Sequence, residues 1–300
     1  MKFVSIIFTF LLTSCSALTP HFEKSDLYWS QLVTLSVEKK ESILSILKDK
    51  NSHLYKQIQN DARDMSLTSF WGKSLNFDSG AKNKIIADQI LSDLQAVFSI
   101  HNDNYIVHAG ITHTYGYLFS VLETPYGYKR KRWIDSSLNY AFSLSEQSLS
   151  PETKNGGLLS NITYFSGMIA FKEQEQKNRL KNLLNVSLEI KNFDYSMLKV
   201  NHLEEVVSGD ESTNVTLRTT LVLLPKKMKD SENDYLLIYS LYDQKKRHEV
   251  LITAFPIKAD AYKKITDPRE LGGNRPIVVR YNAYWPALME KNLSGSRNIY

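Results

Sequence analysis

The sequence predicts an α+β protein, with an N-terminal helical portion packed on a C-terminal, mainly antiparallel sheet. Three observations lead there. Apolar residues recur at helical spacing through residues 25–99. Three apolar, β-branched and aromatic runs then follow at 214–224, 235–243 and 247–255, joined by short or turn-rich links. Hydrophobic residues make up 42% and charged residues 23% of the 300, ordinary for a folded protein, and the length allows one large domain or two modest ones. That mix excludes a disordered tail, a collagen-like repeat and a polytopic membrane protein.

In the helical portion, Ser25 or Asp26 is placed to cap a first helix. Leu27, Leu32, Leu35, Ile43, Leu44 and Leu47 carry its apolar stripe to about residue 49. Leu54, Tyr55, Ile58 and Ala62 mark a second helix over 51–64. Residues 65–80 read as loop, and Asp78-Ser79-Gly80 as the loop before a third helix. That helix, 81–99, is the most amphipathic segment, with Ile85, Ile86, Ile90, Leu91, Leu94, Val97 and Phe98.

Residues 100–290 read as β-rich. Tyr105–Thr112 and Tyr115–Glu123 are expected strands, and Thr124-Pro125-Tyr126-Gly127 suits a hairpin turn into Tyr128–Asp135. Residues 145–157 read as an exposed loop. Residues 158–184 read as helical, although Thr163, Tyr164 and Phe165 favour strand and Gly167 interrupts. Strands are expected at 186–193, 214–224, 235–243, 247–255 and 277–284, the middle three as an antiparallel meander. The 235–243 strand is apolar on both faces, which places it centrally under helices.

The N-terminus carries an address. Lys2 precedes an apolar run from Phe3 to Leu12, broken only by Ser5 and Thr9. A run of that length is too short to span a hydrocarbon core of ~30 Å, but it suits the apolar part of a signal peptide. It ends in Leu12-Thr13-Ser14-Cys15, and Cys15 is the only cysteine in the chain. A lone cysteine excludes an internal disulfide, a zinc ribbon and an iron–sulfur ligand set.

This stretch resembles the lipobox of bacterial lipoproteins: an aliphatic residue, two small ones, then cysteine. Thr13 in place of Ala or Ser, and a single Lys before the apolar run, depart slightly from that pattern. The resemblance covers residues 1–16 alone. It implies a signal peptide over 1–14, cleavage before Cys15, a diacylglyceryl thioether on its sulfur and usually a further acyl chain, such as palmitate, on its new amine. Each buried CH₂ of an acyl chain adds about 0.8 kcal/mol, so two or three chains hold a protein firmly where one does not. By the same resemblance, Ser16 is compatible with outer-membrane sorting in a Gram-negative host. Residues 15–24 then form a lipidated tether and 25–300 a single domain.

Without residues 1–14 the chain keeps 36 basic and 32 acidic side chains, since only Lys2 is lost, for a formal balance of +4. The charge clusters in Lys129-Arg130-Lys131-Arg132, in Lys226, Lys227 and Lys229, and in Lys245-Lys246-Arg247. Such clusters suit either anionic headgroups or the solubilising of turns and strand edges. The compartment argues against nucleic acid.

No motif announces a reaction. The seven histidines contain no HExxH or HxH spacing, and no metal or other cofactor is expected. There is no nucleophile elbow and no phosphate-binding glycine loop. Gly156-Gly157 and Gly272-Gly273 read as turns. Two stretches concentrate Arg, Tyr and Trp, which suit an acidic or glycan-like ligand. One holds His113, Tyr115, Tyr117, Arg130, Arg132 and Trp133, and the other Arg275, Arg280 and Tyr281. The expected function is a lipid-anchored envelope protein whose domain faces the periplasm or the surface and binds an acidic envelope component or a partner protein. The alternative is an anchored envelope hydrolase, with His113 as general base and Arg132 or Arg280 stabilising charge.

Overall fold

A computed structural model describes residues 19–74, 86–98, 106–107, 109–120, 137–144, 148–151, 153, 155–208, 214–224 and 235–266. The α+β class holds. A helical region packs on a four-stranded antiparallel sheet.

The first helix, α1 (Thr19–Lys39), begins six residues before Ser25, inside the stretch read as tether. Pro20 sits in its first turn, where its missing N–H is no loss. Lys40 adopts a left-handed φ of 53° and stops the helix, so the single helix expected to residue 49 is two. A relay of caps starts the next ones. Ser42 accepts from Leu44 N–H to open α2 (Ile43–Lys50), Asn51 from Leu54 N–H to open α3 (Ser52–Arg63), and Asp64 from Leu67 N–H to open α4 (Met65–Thr68). A two-residue strand β1 (Lys73–Ser74) pairs in parallel with β2 (Ile106–Val107). The amphipathic stretch at 81–99 yields α5 (Asp88–Val97), whose Asp93 carboxylate also accepts from the Ile43 N–H of α2 at 2.9 Å.

Helix extends well past residue 100. Of the described residues in Tyr105–Thr112 only β2 is strand, and Gly110–Gly116 forms α6, followed by a 3₁₀ turn at Tyr117–Phe119 where the second strand was expected. All seven α6 residues are buried against α5, β1 and the sheet, and that packing overrides the strand preference of Ile111, Thr112, Thr114 and Tyr115. The hairpin read at 124–135 and the strand at 277–284 lie outside the described residues. So do the loop at Asp78–Gly80 and the pair Gly272–Gly273.

After α7 (Ser137–Ala141), part of the stretch read as an exposed loop is folded inward: Ser148, Leu149, Ser150 and Thr153 are buried, while Asn155 and Gly156 are exposed as expected. The Asn139 carboxamide accepts from Leu149 N–H, and that of Asn161 donates to the Ser148 and Asn155 carbonyls. Residues 158–184 make two helices, α8 (Leu158–Ala170) and α9 (Gln174–Leu183). Gly167 lets them close: a Cβ there would lie 2.6 Å from Leu180 Cδ1. The strand expected at 186–193 is instead α10 (Leu188–Asn192), opened by the Ser187 hydroxyl accepting from Ile190 N–H. A 3₁₀ turn at Tyr195–Met197 leads into the sheet.

The sheet runs β3 (Val200–Ser208), β4 (Asn214–Leu223), β5 (Tyr235–Asp243) and β6 (His248–Ile257) in that spatial order, each antiparallel to the next. The meander is the expected one, with β3 added at its edge. Strand β5 is central and buried along nearly its whole length, and a register shift at Tyr239/Ser240 bulges its pairing with β6. Helix α8 crosses β4, β5 and β6 on the face of Leu236, which lines a small cavity with Ile162 and Phe165. On the other face, Tyr117 packs edge-on to Phe255, and Tyr262 of α11 (Ala259–Thr266) stacks on Tyr235 at 4.1 Å. The outer side of β6 is met by the chain at Phe70–Gly72: Leu251 N–H donates to the Phe70 carbonyl at 2.8 Å, and Gly72 N–H to the Leu251 carbonyl at 3.0 Å.

Candidate functional site

Helix α8 is the axis of the polar interior. Every one of its residues except Met168 is buried, so its unpaired terminal N–H and C=O groups cannot rely on water. Its own sequence supplies no cap at the front, since Gly157 has no side chain. The caps come from elsewhere in the chain.

At the N-terminus, α3 presents Gln57 and Asp61, one turn apart and both buried. Gln57 Oε1 accepts from Leu158 N–H at 3.3 Å, and the Asp61 carboxylate accepts from Leu159 N–H. Asp61 accepts two further hydrogen bonds, from the Tyr115 hydroxyl of α6 at 2.5 Å and from the Ser160 hydroxyl at 3.5 Å. Asp61 is 5% exposed. Burial pushes its carboxyl up to about 7, against the pull of its hydrogen bonds, and Asp64 nearby adds to the rise. Burial also drives the Tyr115 hydroxyl far above its ordinary range, so it stays a donor.

Gly157 is required by this arrangement. A Cβ there would sit 2.6 Å from Asp61 Oδ1 and 3.2 Å from Oδ2. Gly157→Ala is therefore expected to displace the carboxylate from the helix end and to lower stability by about 1–3 kcal/mol, read by urea denaturation.

At the C-terminus of α8, β4 supplies Arg218, which donates to the Ala170 carbonyl. Its Nη1 reaches both oxygens of Glu249 at 3.1 Å, and its Nε donates to Glu204 at 2.9 Å. Glu249 is 0% exposed and also accepts from the Ser240 hydroxyl and the Lys172 N–H. Burial raises the Glu249 carboxyl, and Arg218 holds it partly back. A carboxyl thus stands at the positive end of α8 and a guanidinium at its negative end, each placed to favour the helix dipole.

The residues read from sequence fall differently. His113 lies in α6 at 3% exposure, its ring edge-on to Tyr117 at 6.1 Å. Tyr115 and Tyr117 belong to the core, Tyr115 as the partner of Asp61 and Tyr117 between His113 and Phe255. The structure thus brings together His113, Tyr115 and Tyr117 on one buried segment. Cys15, Arg130, Arg132, Trp133, Arg275, Arg280 and Tyr281 lie outside the described residues. Asp61, Gln57, Arg218 and Glu249 were not anticipated. The available signal was Gln57 and Asp61 on the same helical stripe as Leu54 and Ile58, where apolar residues belong.

A cavity of about 10 Å³, roughly what one water needs, is lined by Leu138, Leu149, Ile162, Phe165, Ser166 and Leu236. None of the candidate residues lines it. Among the described residues no three His, Cys, Asp or Glu side chains converge as a metal site would require, and no helix is long and apolar enough to cross a membrane. Comparison with protein-family models, with curated proteins and with solved structures finds no match to this chain.

Proposed function

We propose that this chain is a lipoprotein of the bacterial cell envelope, anchored through acylated Cys15, whose α+β domain binds or assembles with another envelope component at the membrane surface. One observation carries the reading. The only cysteine of the chain closes Leu12-Thr13-Ser14-Cys15, directly behind a basic residue and a short apolar run. In a Gram-negative host, Ser16 supports residence in the outer membrane. Because α1 begins at Thr19, only residues 16–18 separate the lipid from the helix, at most about 14 Å of extended chain. The domain is then held close against the bilayer.

Burial of the candidate base favours binding over hydrolysis. A general base must reach the proton it removes, and the His113 ring is closed off by its neighbours in α6 and the core. The anchor is tested by metabolic labelling with a fatty acid. Cys15→Ser is expected to abolish label and to release the protein from membranes; persistent label in that variant overturns the reading.

A further inference from the structure

Asp61 is a buried carboxyl where helices α3, α6 and α8 meet. Among the described residues no Lys, Arg or His forms a salt bridge with it. Among the described residues the ionisable groups that act on it are Tyr115 of α6 and Asp64 at the end of its own helix, one a neutral donor and the other a like charge. Helix α8 faces it with Leu158, Leu159 and Ser160, none of them ionisable. Three elements meet at this one group: α3 carries it, α6 donates a hydroxyl to it, and α8 rests its first turn on it.

We infer that Asp61 is a proton-operated fastener, protonated when the α3–α6–α8 junction is tightest and strained when ionised. Two effects oppose each other there. The donors and the positive end of α8 favour the ion. Burial, with no counter-charge among the described residues, disfavours it; it is the largest effect on this group, and Asp64 adds to it. Burial thus pushes this carboxyl up from 3.8 to about 7.

The sign follows from linkage. The folded state holds its proton to higher pH than the unfolded chain does, so this group's contribution is fully present below the unfolded value near 4. It declines as the pH rises toward 7 and is lost above that. An envelope domain carrying such a group tightens in mild acid and loosens toward alkaline conditions.

The test compares the mature, full-length protein with Asp61→Asn in detergent micelles, by urea unfolding at pH 5 and pH 8. The folding constant of the wild type relative to the variant is expected to fall roughly a hundredfold between those pH values. A ratio that stays constant overturns the inference. Titration of the Asp61 carboxyl carbon by NMR in the wild-type protein is independent of how well the variant folds. A midpoint near 7, moving upward in Tyr115→Phe, is expected, whereas a midpoint in the ordinary aspartate range overturns the inference.

Discussion

Arg218→Met is expected to lower the unfolding free energy by about 3–5 kcal/mol. For a domain whose whole margin is about 5–15 kcal/mol, that is a large share. The reason is the carboxylate it abandons. Glu249 is sealed from solvent, and Arg218 is the cation that touches both of its oxygens. The substitution also strips the Ala170 carbonyl of its donor at the end of α8. Adding Glu249→Gln should recover much of the loss, because a neutral amide can still accept from Lys172 N–H without leaving a buried charge. The pH dependence has a definite sign. Burial already raises the Glu249 carboxyl, and losing Arg218 raises it further. A group whose folded value lies above its unfolded one destabilises most where it is ionised. The deficit of Arg218→Met should therefore shrink as the pH falls toward the ordinary glutamate range. Urea denaturation of the three proteins at pH 5 and pH 7.5 decides this, and an equal deficit at both would count against it.

Trp71→Ala is expected to cost about 3–5 kcal/mol. Trp71 is wholly buried between α8 and β6. Its indole N–H donates to the Thr163 hydroxyl at 2.8 Å, and that hydroxyl donates in turn to the Leu159 carbonyl. Truncation leaves a void in a close-packed interior. Trp71→Phe separates the two contributions. It keeps most of the volume and removes only the donor, so a loss of about 1–2 kcal/mol is expected. A thermal melt in which both variants lose the same amount would show that the hydrogen bond, not the packing, dominates.

These sites also show what a sequence yields. Strands β4, β5 and β6 were legible to within two residues because alternation, β-branching and short turns all agree there. Strand β3 was missed because its sequence is that of a half-exposed edge, with Asn201, His202, Glu204 and Glu205 interrupting the apolar pattern. Helix α10 was misread because Val186, Leu188 and Ile190 alternate like a strand. The structure leaves Leu188 exposed and lets the Ser187 cap decide. The error over α6 is deeper. Ile111 to Phe119 has strand-like composition, and only its burial on every side makes it helical. The polar clusters were illegible for a related reason. Asp61 and Tyr115 are 54 positions apart, and Arg218 and Glu249 are 31 apart. Their meaning arises only once α8 lies between them and needs both its ends satisfied.

The hydrogen bonds joining Phe70–Gly72 to Leu251 bind the two halves of the chain into one fate. A strand rim left bare is an invitation to stack against its neighbours. Here the molecule's own early residues take up the outward-facing backbone groups of β6 at Leu251, from a segment made some 180 positions before it. The two halves of the chain are therefore stitched together at the outer side of β6, far apart in sequence but hydrogen-bonded in the fold.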